Sequence, residues 1–399
     1  MAPKLERFVS PGKGNGLRAT ARIKRGELVY SCEPLACCVS NKLSREVCHH
    51  CFTRRETLLR CSQCKTARYC NITCQLSPSQ NSSEELYTLE EHESHLSSVS
   101  EQKKQGLSQL ASMLELYLQQ EAPDLVREMT SLPPSCREPL SLIAKVTCNC
   151  FTISDGELQE IGVGLYPSLS LLNHDCRPNC VMVFKGTKLQ LRAVRDINPE
   201  EELTISYIET LSLTEDGQKQ LEDQYHFTCR CQRCDSQDKD GLMLSGGEST
   251  WRPLKEALPR LEGLKAESNW QTLLESCSRL LSTVGCDVPE ENLYKLRVTD
   301  MALDASVHLG HWEEAVGYGE KTLPVYRQYY PDPHPVHGVQ LMRVGKLQHY
   351  LVHIEDALET FKQAYQIIKV THGDDHPMTT DLLMKMEECR TEMDQHSSS

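Results

Sequence analysis

Apolar and polar residues alternate in short runs near the N-terminus and again in the middle of the chain, and such alternation predicts β-strands. The N-terminal runs cover residues 17–23 and 27–32 and follow a glycine-rich turn at residues 12–16. In the middle, residues 181–184 and 189–194 flank Lys185-Gly186-Thr187, which predicts a hairpin with a glycine at its turn. A further alternating run covers residues 203–208. The pattern therefore predicts two strand-rich regions.

Helical patterns fill residues 84–150, where Pro133 and Pro134 interrupt them, and the chain from residue 250 onward. The C-terminal part contains a repeat, because Trp270, Trp312 and Ile354 stand 42 residues apart and precede matching apolar positions. The segments around the last two are similar to the turn between the paired helices of tetratricopeptide units. An unrelated helical bundle is the alternative. Two polar stretches, residues 76–83 and 235–249, predict a connector and an interdomain linker.

Composition narrows the class of protein. Lys and Arg number 43 against 56 Asp and Glu, and the net charge of -13 argues against a protein that coats nucleic acid. Residues 1–7 have no apolar core, and no apolar run approaches the roughly 18 residues needed to span a bilayer. We therefore expect a soluble, intracellular protein without a membrane partner. In a reducing compartment, clustered cysteines predict zinc ligands rather than disulfides.

Cysteine spacing predicts two zinc-binding regions. Six cysteines follow the spacing C-x2-C-x9-C-x2-C-x5-C-x3-C, namely Cys48, Cys51, Cys61, Cys64, Cys70 and Cys74. Six thiolates are too many for one tetrahedral zinc ion and too few for two. His49, His50 or His92 are candidate substitutes, although surface histidines are the simpler interpretation. A second group supplies four thiolates for one closed site, namely Cys176, Cys229, Cys231 and Cys234. Together they predict two to three zinc ions.

The six-cysteine segment is also basic. Residues 42–75 contain seven Lys or Arg and two acidic residues, a local charge of +5 on an acidic protein. Such a patch is able to contact DNA or an acidic partner. A solvated surface on a protein-binding finger is the simpler interpretation.

The most informative stretch is residues 173–180, Asn-His-Asp-Cys-Arg-Pro-Asn-Cys, followed by a strand that ends at Tyr207. With the three cysteines downstream, this order resembles the signature of SET-domain protein lysine methyltransferases. The whole order of glycine-rich turn, finger, helical insert, signature, cysteines and helical tail is similar to the SET and MYND domain-containing lysine methyltransferases. A segment that follows the sixth finger cysteine in that family is missing here.

The resemblance implies an α+β fold. A SET-domain β-fold is split by a MYND zinc finger and a helical insert, and an all-α, tetratricopeptide-like domain follows. The expected regions are the N-terminal part of the SET domain at 1–44, the shortened finger at 45–75, the helical insert at 76–150, the core SET domain at 151–210, the post-SET zinc region at 211–240 and the C-terminal domain at 250–399.

The family also implies which cysteines share a zinc ion. The first finger site takes Cys48, Cys51, Cys70 and Cys74. The second takes Cys61 and Cys64 together with a downstream H-x3-C that this chain lacks. The post-SET site takes Cys176, Cys229, Cys231 and Cys234 and ties the C-terminal flap onto the core.

The implied reaction is transfer of a methyl group from S-adenosyl-L-methionine to lysine in histone and non-histone proteins. The implied cofactor-binding residues are Lys13, Asn15, Tyr87, His95, Asn149, Asn173, His174, Tyr207 and Phe227. The implied catalytic residues, which wall the lysine channel, are Tyr207, Tyr225 and Phe151. The reacting lysine must be neutral, which costs about 4 kcal/mol at physiological pH. A desolvated channel beside a sulfonium cation lowers that cost.

The implied partners are histone tails and other lysine-containing proteins, met by a monomer in the cytoplasm and nucleus. Protein partners or DNA are further candidates for the basic finger. The main alternative is a catalytically weakened scaffold, built from finger and helical repeats, in transcriptional or chromatin complexes. A basic-finger DNA reader is the second alternative.

Overall fold

The strands gather into four small sheets. The computed structural model describes residues 4–76, 84–131 and 134–397. Its strands are β1 (Leu5–Ser10), β2 (Gly14–Ala19), β3 (Leu28–Cys32), β4 (Ala36–Val39), β5 (Leu59–Arg60), β6 (Arg68–Tyr69), β7 (Cys150–Ser154), β8 (Glu160–Leu165), β9 (Asn173–His174), β10 (Cys180–Lys185), β11 (Lys188–Ala193) and β12 (Glu202–Ile205). The sheet orders are β1-β2-β12-β9, β10-β11-β3, β4-β8-β7 and β5-β6.

Helices dominate the insert and the C-terminal half. The α-helices of the described residues are α1 (Ile72–Leu76), α2 (Glu101–Glu121), α3 (Pro123–Glu128), α4 (Pro134–Arg137), α5 (Pro139–Asn149), α6 (Thr214–Tyr225), α7 (Gln232–Ser236), α8 (Asp240–Met243), α9 (Glu248–Ala266), α10 (Trp270–Thr283), α11 (Leu293–Leu309), α12 (Trp312–Tyr329), α13 (Pro335–Tyr350), α14 (Ile354–Thr371) and α15 (Pro377–Ser397). In this part of the chain, no helix combines the length and apolar character that a membrane span requires.

The first sheet brings three distant segments of the chain side by side. Strand β12 pairs antiparallel with β2, and Leu203 lies opposite Leu17. On its other edge β12 pairs parallel with β9, so that Asn173 and His174 lie beside Thr204 and Ile205. Because β12 lies between them, the start of β2 and the signature residues of β9 meet at one end of this sheet.

One hydrophobic core holds three of the sheets together. It contains fully buried side chains from several strands and their connections, among them Leu17, Ile23, Leu172, Leu189 and Leu203. Burial of each such side chain contributes roughly 1.5–3 kcal/mol. Leu17 and Leu203 in this core belong to β2 and β12, two of the strands that carry the candidate site.

The predicted hairpin is confirmed. Strands β10 and β11 pair antiparallel from Cys180↔Ala193 to Lys185↔Lys188, and Gly186 at the turn has a φ of 65°. The other strand predictions need shorter boundaries. The strand predicted at 17–23 is β2, which ends at Ala19, and Ile23 forms only an isolated bridge. The strand predicted at 203–208 is β12, which ends at Ile205.

The insert begins with irregular structure rather than with the helix predicted from residue 84. Acidic side chains hold turns there, because Glu84 accepts the backbone N–H of Leu89 at 2.9 Å and Glu91 accepts that of Thr88 at 3.0 Å. Such side-chain bonds compete with helix formation. Helix α2 begins only after Ser100, whose hydroxyl caps it by accepting the N–H of Lys103 at 3.3 Å.

The predicted linker at 235–249 is also partly helical. Helix α7 ends inside it, and α8 lies wholly within it. The Asp240 carboxylate accepts the backbone N–H of Thr214 at 3.1 Å, and Met243 is completely buried. These contacts order a segment whose composition alone suggests a loop. Of the other predicted connector at 76–83, residues 77–83 lie outside the described residues.

The helical repeat is confirmed. Trp270, Trp312 and Ile354 are the first residues of α10, α12 and α14. Helices α13 and α14 approach each other closely, since a Cβ added to Gly345 of α13 would lie 2.6 Å from the Phe361 ring of α14. The tail contacts the strand region directly. The His376 Nε2–H donates to the Phe184 carbonyl oxygen at 3.0 Å.

Candidate functional site

A polar cluster forms where β2, β12 and β9 meet. The Asn173 side-chain amide donates to the carbonyl oxygen of Asn15 at 3.2 Å and to Glu202 Oε1 at 2.8 Å. The Lys13 ammonium lies 3.4 Å from Glu202 Oε2. A Cβ added to Gly16 would lie 3.0 Å from both Asn173 Nδ2 and Glu202 Oε1, so only glycine lets these side chains approach the β2 backbone this closely. The structure thus brings together three of the predicted cofactor residues, Lys13, Asn15 and Asn173.

Two residues of this cluster were missed by the sequence analysis. Glu202 contacts both Asn173 and Lys13, but in the sequence it is one of many acidic residues at the start of a strand. The second, Arg7, bonds Asn15 Oδ1 at 3.4 Å and pairs with Glu91 of the insert at 2.7 Å. Its guanidinium also lies 4.9 Å from the centre of the Tyr87 ring. A pattern of single residues gives no signal for such long-range pairs.

Of the predicted residues of the insert, Tyr87 lies beside this cluster, where Arg7 contacts its ring. Tyr87 is buried, and its hydroxyl donates to the carbonyl oxygen of Glu91 at 2.6 Å. Asn149, the last residue of α5, donates to the carbonyl oxygens of Glu93 at 3.2 Å and Lys145 at 2.8 Å. The Asn149 side chain therefore fastens the end of α5 to the irregular start of the insert.

His95 lies farther along the same irregular segment. Its backbone is in the left-handed region with a φ of 50°, and its ring centre lies 5.5 Å from that of His226. His226 directly follows α6 and has a φ of 61°, so the chain reverses there and leads into Phe227. The insert and the segment after α6 therefore meet at these two histidines.

His174 connects the polar cluster to an aromatic cluster. It is only 4% exposed, and its Nδ1 accepts the backbone N–H of Tyr207 at 3.0 Å. Burial, together with the charges of Lys13 and Arg233, lowers the pKa of His174 to about 4 against an opposing effect of Cys231. The imidazole is therefore neutral at physiological pH.

The aromatic cluster consists of His174, Tyr207, Tyr225 and Phe227. The Tyr207 and Tyr225 ring centres are 4.8 Å apart, and Phe227 meets Tyr207 edge-on at 6.2 Å. The Tyr207 hydroxyl donates to the carbonyl oxygen of Leu172. Burial and the neighbouring Tyr225 raise the pKa of Tyr207 well above its usual value, so its hydroxyl stays protonated at neutral pH.

Phe151, the third predicted wall residue, is half-buried on β7. Its ring meets Tyr166 edge-on with centres 5.7 Å apart. The preceding residue, Cys150, is close enough to Tyr225 to act on it electrostatically. Burial, followed by Cys150 and Cys148, raises the pKa of Tyr225. Cys150 at the start of β7 is therefore near Tyr225 at the end of α6.

Four cysteines behind the aromatic cluster form a metal site. The Sγ atoms of Cys176, Cys229, Cys231 and Cys234 all lie within 4.8 Å of one another, and those of Cys176 and Cys234 are 3.5 Å apart. A tetrahedral zinc ion with Zn–S bonds of 2.3 Å requires sulfur pairs about 3.8 Å apart, so the group fits zinc. Gln218 of α6 fixes the loop by bonding both backbone groups of Cys229, at 2.6 and 2.9 Å.

The finger holds a second group of four thiols. The Sγ atoms of Cys48, Cys51, Cys70 and Cys74 also lie within 4.8 Å of one another, with Cys51 and Cys70 at 3.6 Å. Although burial acts in the opposite direction, hydrogen bonding with Thr53 and the neighbouring thiols lowers the pKa of Cys51, whereas burial and those thiols raise the pKa of Cys70 and Cys74. A thiol that ionises readily is a good zinc ligand.

The predicted second finger site is not supported in the described part of the chain. Cys61 and Cys64 accept hydrogen bonds from Gln75 at 3.8 Å and from the Ala67 backbone at 3.4 Å, and no third potential ligand described by the structure joins them. Of the candidate substitutes, His92 instead stacks on the Tyr87 ring at 4.8 Å. The physical reason is the missing downstream ligand pair. Residues 4–76, 84–131 and 134–397 thus contain two zinc sites, the lower of the two numbers predicted.

Comparison with known proteins places these features in a family. The SET domain model matches residues 14–208. The mouse histone-lysine N-methyltransferase SMYD3 is 41% identical over an alignment of length 424 that covers 97% of this chain and 98% of that protein. The human N-lysine methyltransferase SMYD2 is 30% identical over 433 residues, with 96% and 98% covered.

A solved structure of the SET domain of LSMT bound to lysine and AdoHcy aligns with 98% of this chain and 88% of that one. Its identity of 12% and TM-score of 0.33 are too low to support any inference about this chain. The assignment depends on the SMYD relatives, whose identity extends over nearly the whole chain. The chain belongs to the SET-domain family of S-adenosylmethionine-dependent protein lysine methyltransferases that includes SMYD3 and SMYD2, as its motifs predicted.

Proposed function

We propose that this protein transfers the methyl group of S-adenosyl-L-methionine to the ε-amine of lysine in histone tails and in other proteins. The observation that carries the proposal is the continuity of two clusters. His174 is the neighbour of Asn173 in the polar cluster, and it accepts the backbone N–H of Tyr207 in the aromatic cluster at 3.0 Å. A charged cofactor end and a lysine side chain therefore have adjoining places.

The polar cluster suits the amino-acid end of the cofactor. Lys13 offers a cation for a carboxylate, whereas Glu202 and the Asn15 amide offer groups for an ammonium. Glycine at position 16 allows Asn173 and Glu202 to lie directly against the β2 backbone, where they are able to meet the cofactor. Asn173, His174 and Tyr207 line the same edge, and Phe227 supplies a ring for the adenine. In this proposal Tyr87, His95 and Asn149 of the insert also contact the cofactor.

The aromatic cluster suits a lysine that must lose its proton. When bound, S-adenosylmethionine supplies an electrophilic methyl group on a positively charged sulfur. A free lysine has a pKa of about 10.4, so its neutral form at pH 7 costs about 4–5 kcal/mol. Walls made of Tyr207, Tyr225 and Phe151 exclude water, and desolvation favours the neutral amine.

Tyr207 has an orienting role in this scheme. Its O–H donates to Leu172, which leaves the oxygen lone pairs free to accept an N–H of the target amine. The raised pKa keeps the hydroxyl protonated, so Tyr207 is not the base that takes the lysine proton at neutral pH. Holding the amine in line with the methyl group is the larger contribution.

The substrate class beyond "lysine-containing protein" is part of the proposal. The names of the relatives describe histone-lysine and protein-lysine methylation by those proteins. We propose the same two classes here, for a monomer that acts in the cytoplasm and the nucleus. DNA contact by the finger has weaker support, since Arg54 already pairs with Glu46 and Asp155, each at 3.3 Å.

The test is methyl transfer from labelled S-adenosylmethionine to mixed histones. The matched variants are Tyr207→Phe, which removes one hydroxyl from the site, and Tyr117→Phe, which removes one from an exposed position on α2. We expect lysine labelling by the wild type and Tyr117→Phe, and a loss of about 100-fold or more in Tyr207→Phe. Absence of labelling by the wild type, or equal labelling by Tyr207→Phe, would support the scaffold alternative.

A further inference from the structure

Two hydrogen bonds fix the His174 ring between the aromatic cluster and a zinc ligand. Nδ1 accepts the N–H of Tyr207 at 3.0 Å. A neutral imidazole whose Nδ1 is an acceptor carries its hydrogen on Nε2. That Nε2–H lies 3.3 Å from Cys176 Sγ, within reach of a hydrogen bond to sulfur. One buried ring therefore bridges the Tyr207 backbone and the post-SET cysteine cluster.

The ring has little freedom to move. It is 4% exposed and lies against Tyr207 at 5.3 Å and Phe227 at 6.0 Å between ring centres. Its backbone is held in β9, where His174 pairs with Ile205 of β12. A rotation large enough to break one of its hydrogen bonds would break both. Displacement of the Cys176 sulfur is therefore transmitted to the peptide of Tyr207.

We propose that His174 is a positioning residue that couples zinc in the post-SET cluster to the geometry of Tyr207 and to cofactor binding. The inference rests on the proposed function for the identity of the cofactor. An N–H donor beside a metal-bound thiolate orients the ligand and favours its ionised form. His174 supplies that donor and uses its other nitrogen to hold the residue that faces the target lysine.

Coupling of this kind must be reciprocal. If zinc in the post-SET cluster strengthens cofactor binding through His174, the bound cofactor must raise the zinc affinity of the same cluster by the same factor. We expect the more tightly bound zinc to be released more slowly. The finger cluster shares no residue with this pair of bonds, so its zinc is the internal control. A purely structural zinc site would show no difference between cofactor-bound and free protein.

Two substitutions separate the two hydrogen bonds. In His174→Asn, the amide lies where Nδ1 was, so it is able to accept from Tyr207 but does not reach Cys176. In His174→Gln, the amide nitrogen lies where Nε2 was, so it is able to donate to sulfur but leaves the Tyr207 N–H without its acceptor. Each variant keeps one half of the bridge, and neither keeps both.

The experiment measures zinc transfer from the purified full chain to a chromogenic chelator, with and without S-adenosylhomocysteine. The variant Cys74→Ser identifies the release phase of the finger. We expect S-adenosylhomocysteine to slow the post-SET phase of the wild type about fivefold or more and to leave the finger phase unchanged. Both His174 variants should release post-SET zinc at nearly the same rate with and without it.

The possible results distinguish failure of the coupling from failure of the proposed function. Binding heat from S-adenosylhomocysteine without protection of post-SET zinc would overturn the coupling and leave the proposed function standing. Equal protection in the wild type and both His174 variants would show that His174 is not the link. No binding heat in zinc-replete wild type would overturn the proposed function and the coupling with it. An unchanged finger phase and far-UV circular dichroism show that the variants are folded.

Discussion

Tyr207 and Tyr225 lie with ring centres 4.8 Å apart and an interplanar angle of 46°. The first follows a strand of the core, and the second ends a helix that Gln218 fastens to the post-SET cysteines. The contact between the two tyrosines therefore depends on the loop that carries the post-SET cysteines as well as on the β-core. The two walls of the lysine channel therefore have different structural supports.

Removal of the second wall should change the pH dependence of the reaction. In Tyr225→Ala, water enters beside the target amine, and the lysine regains a pKa closer to its value in water. We expect activity to fall about tenfold or more at pH 7.5 and to recover partly at pH 9.5, where free lysine is more often neutral. Initial rates across this range, with Tyr117→Phe as control, test the prediction. A loss of equal size at every pH would argue against water exclusion.

Glycine at position 16 should be essential for cofactor affinity. A Cβ at this position would lie 3.0 Å from Asn173 Nδ2, Glu202 Oε1 and the Phe8 ring. The added methyl would displace Asn173 and Glu202, so Gly16→Ala should weaken S-adenosylhomocysteine binding by about tenfold. Calorimetric titration measures the change. The matched control is Gly106→Ala on α2, where an added Cβ meets no atom within 4 Å. Equal affinities for the two variants would contradict the placement of the cofactor.

Metal analysis should find two zinc ions per chain. Cys74→Ser should remove one, because it breaks a four-thiolate group, whereas Cys61→Ser and Cys64→Ser should leave the count at two. Mass spectrometry of the metal content of purified protein gives these numbers. Three ions in the wild type, or loss of one in Cys61→Ser, would show that the pair gains ligands after all.

Asp300 should make the tail less stable as the pH rises. Its partly buried carboxylate accepts from the Tyr326 hydroxyl at 2.8 Å and from Gln340 at 3.3 Å. Burial, only partly offset by Tyr326, raises the pKa of Asp300 to about 7, above the value of about 3.9 for an unfolded Asp. The folded state therefore binds the proton more tightly, and stability falls between about pH 4 and pH 7.

The variant Asp300→Asn is the test of this contribution, because it remains neutral at every pH. Relative to the wild type, it should gain free energy of unfolding as the pH rises from 5 to 8. Urea denaturation of both proteins at these two pH values measures the difference. A difference that does not change with pH would mean that the carboxyl titrates alike in the folded and unfolded states.

Much of the fold was predictable because its signals are local or periodic. The hairpin around Gly186 requires a glycine at its turn, and the 42-residue spacing of Trp270, Trp312 and Ile354 marks equivalent helix starts. The two four-thiolate groups also follow from spacing together with the family resemblance. In each case the information is contained in a short segment or in a repeat.

Other features depend on individual side-chain contacts that neither periodicity nor spacing predicts. The non-helical start of the insert is held by the side chains of Glu84 and Glu91, and amphipathic patterning does not register such bonds. Glu202 joins the site because β12 lies beside β2 and β9, and Arg7 joins it because β1 pairs with β2. The bridging role of His174 requires both of its nitrogen positions, which only the folded structure provides.

The central claim is that the polar cluster around Asn173 binds the cofactor beside Tyr207. Calorimetry with S-adenosylhomocysteine and the zinc-replete protein tests this claim most directly. The titration is made at two temperatures, so that a vanishing enthalpy at one of them does not hide binding. The proposed site predicts one equivalent bound by the wild type and a clearly weaker affinity for Asn173→Ala. Absence of heat at both temperatures, or an unchanged affinity in Asn173→Ala, would contradict it.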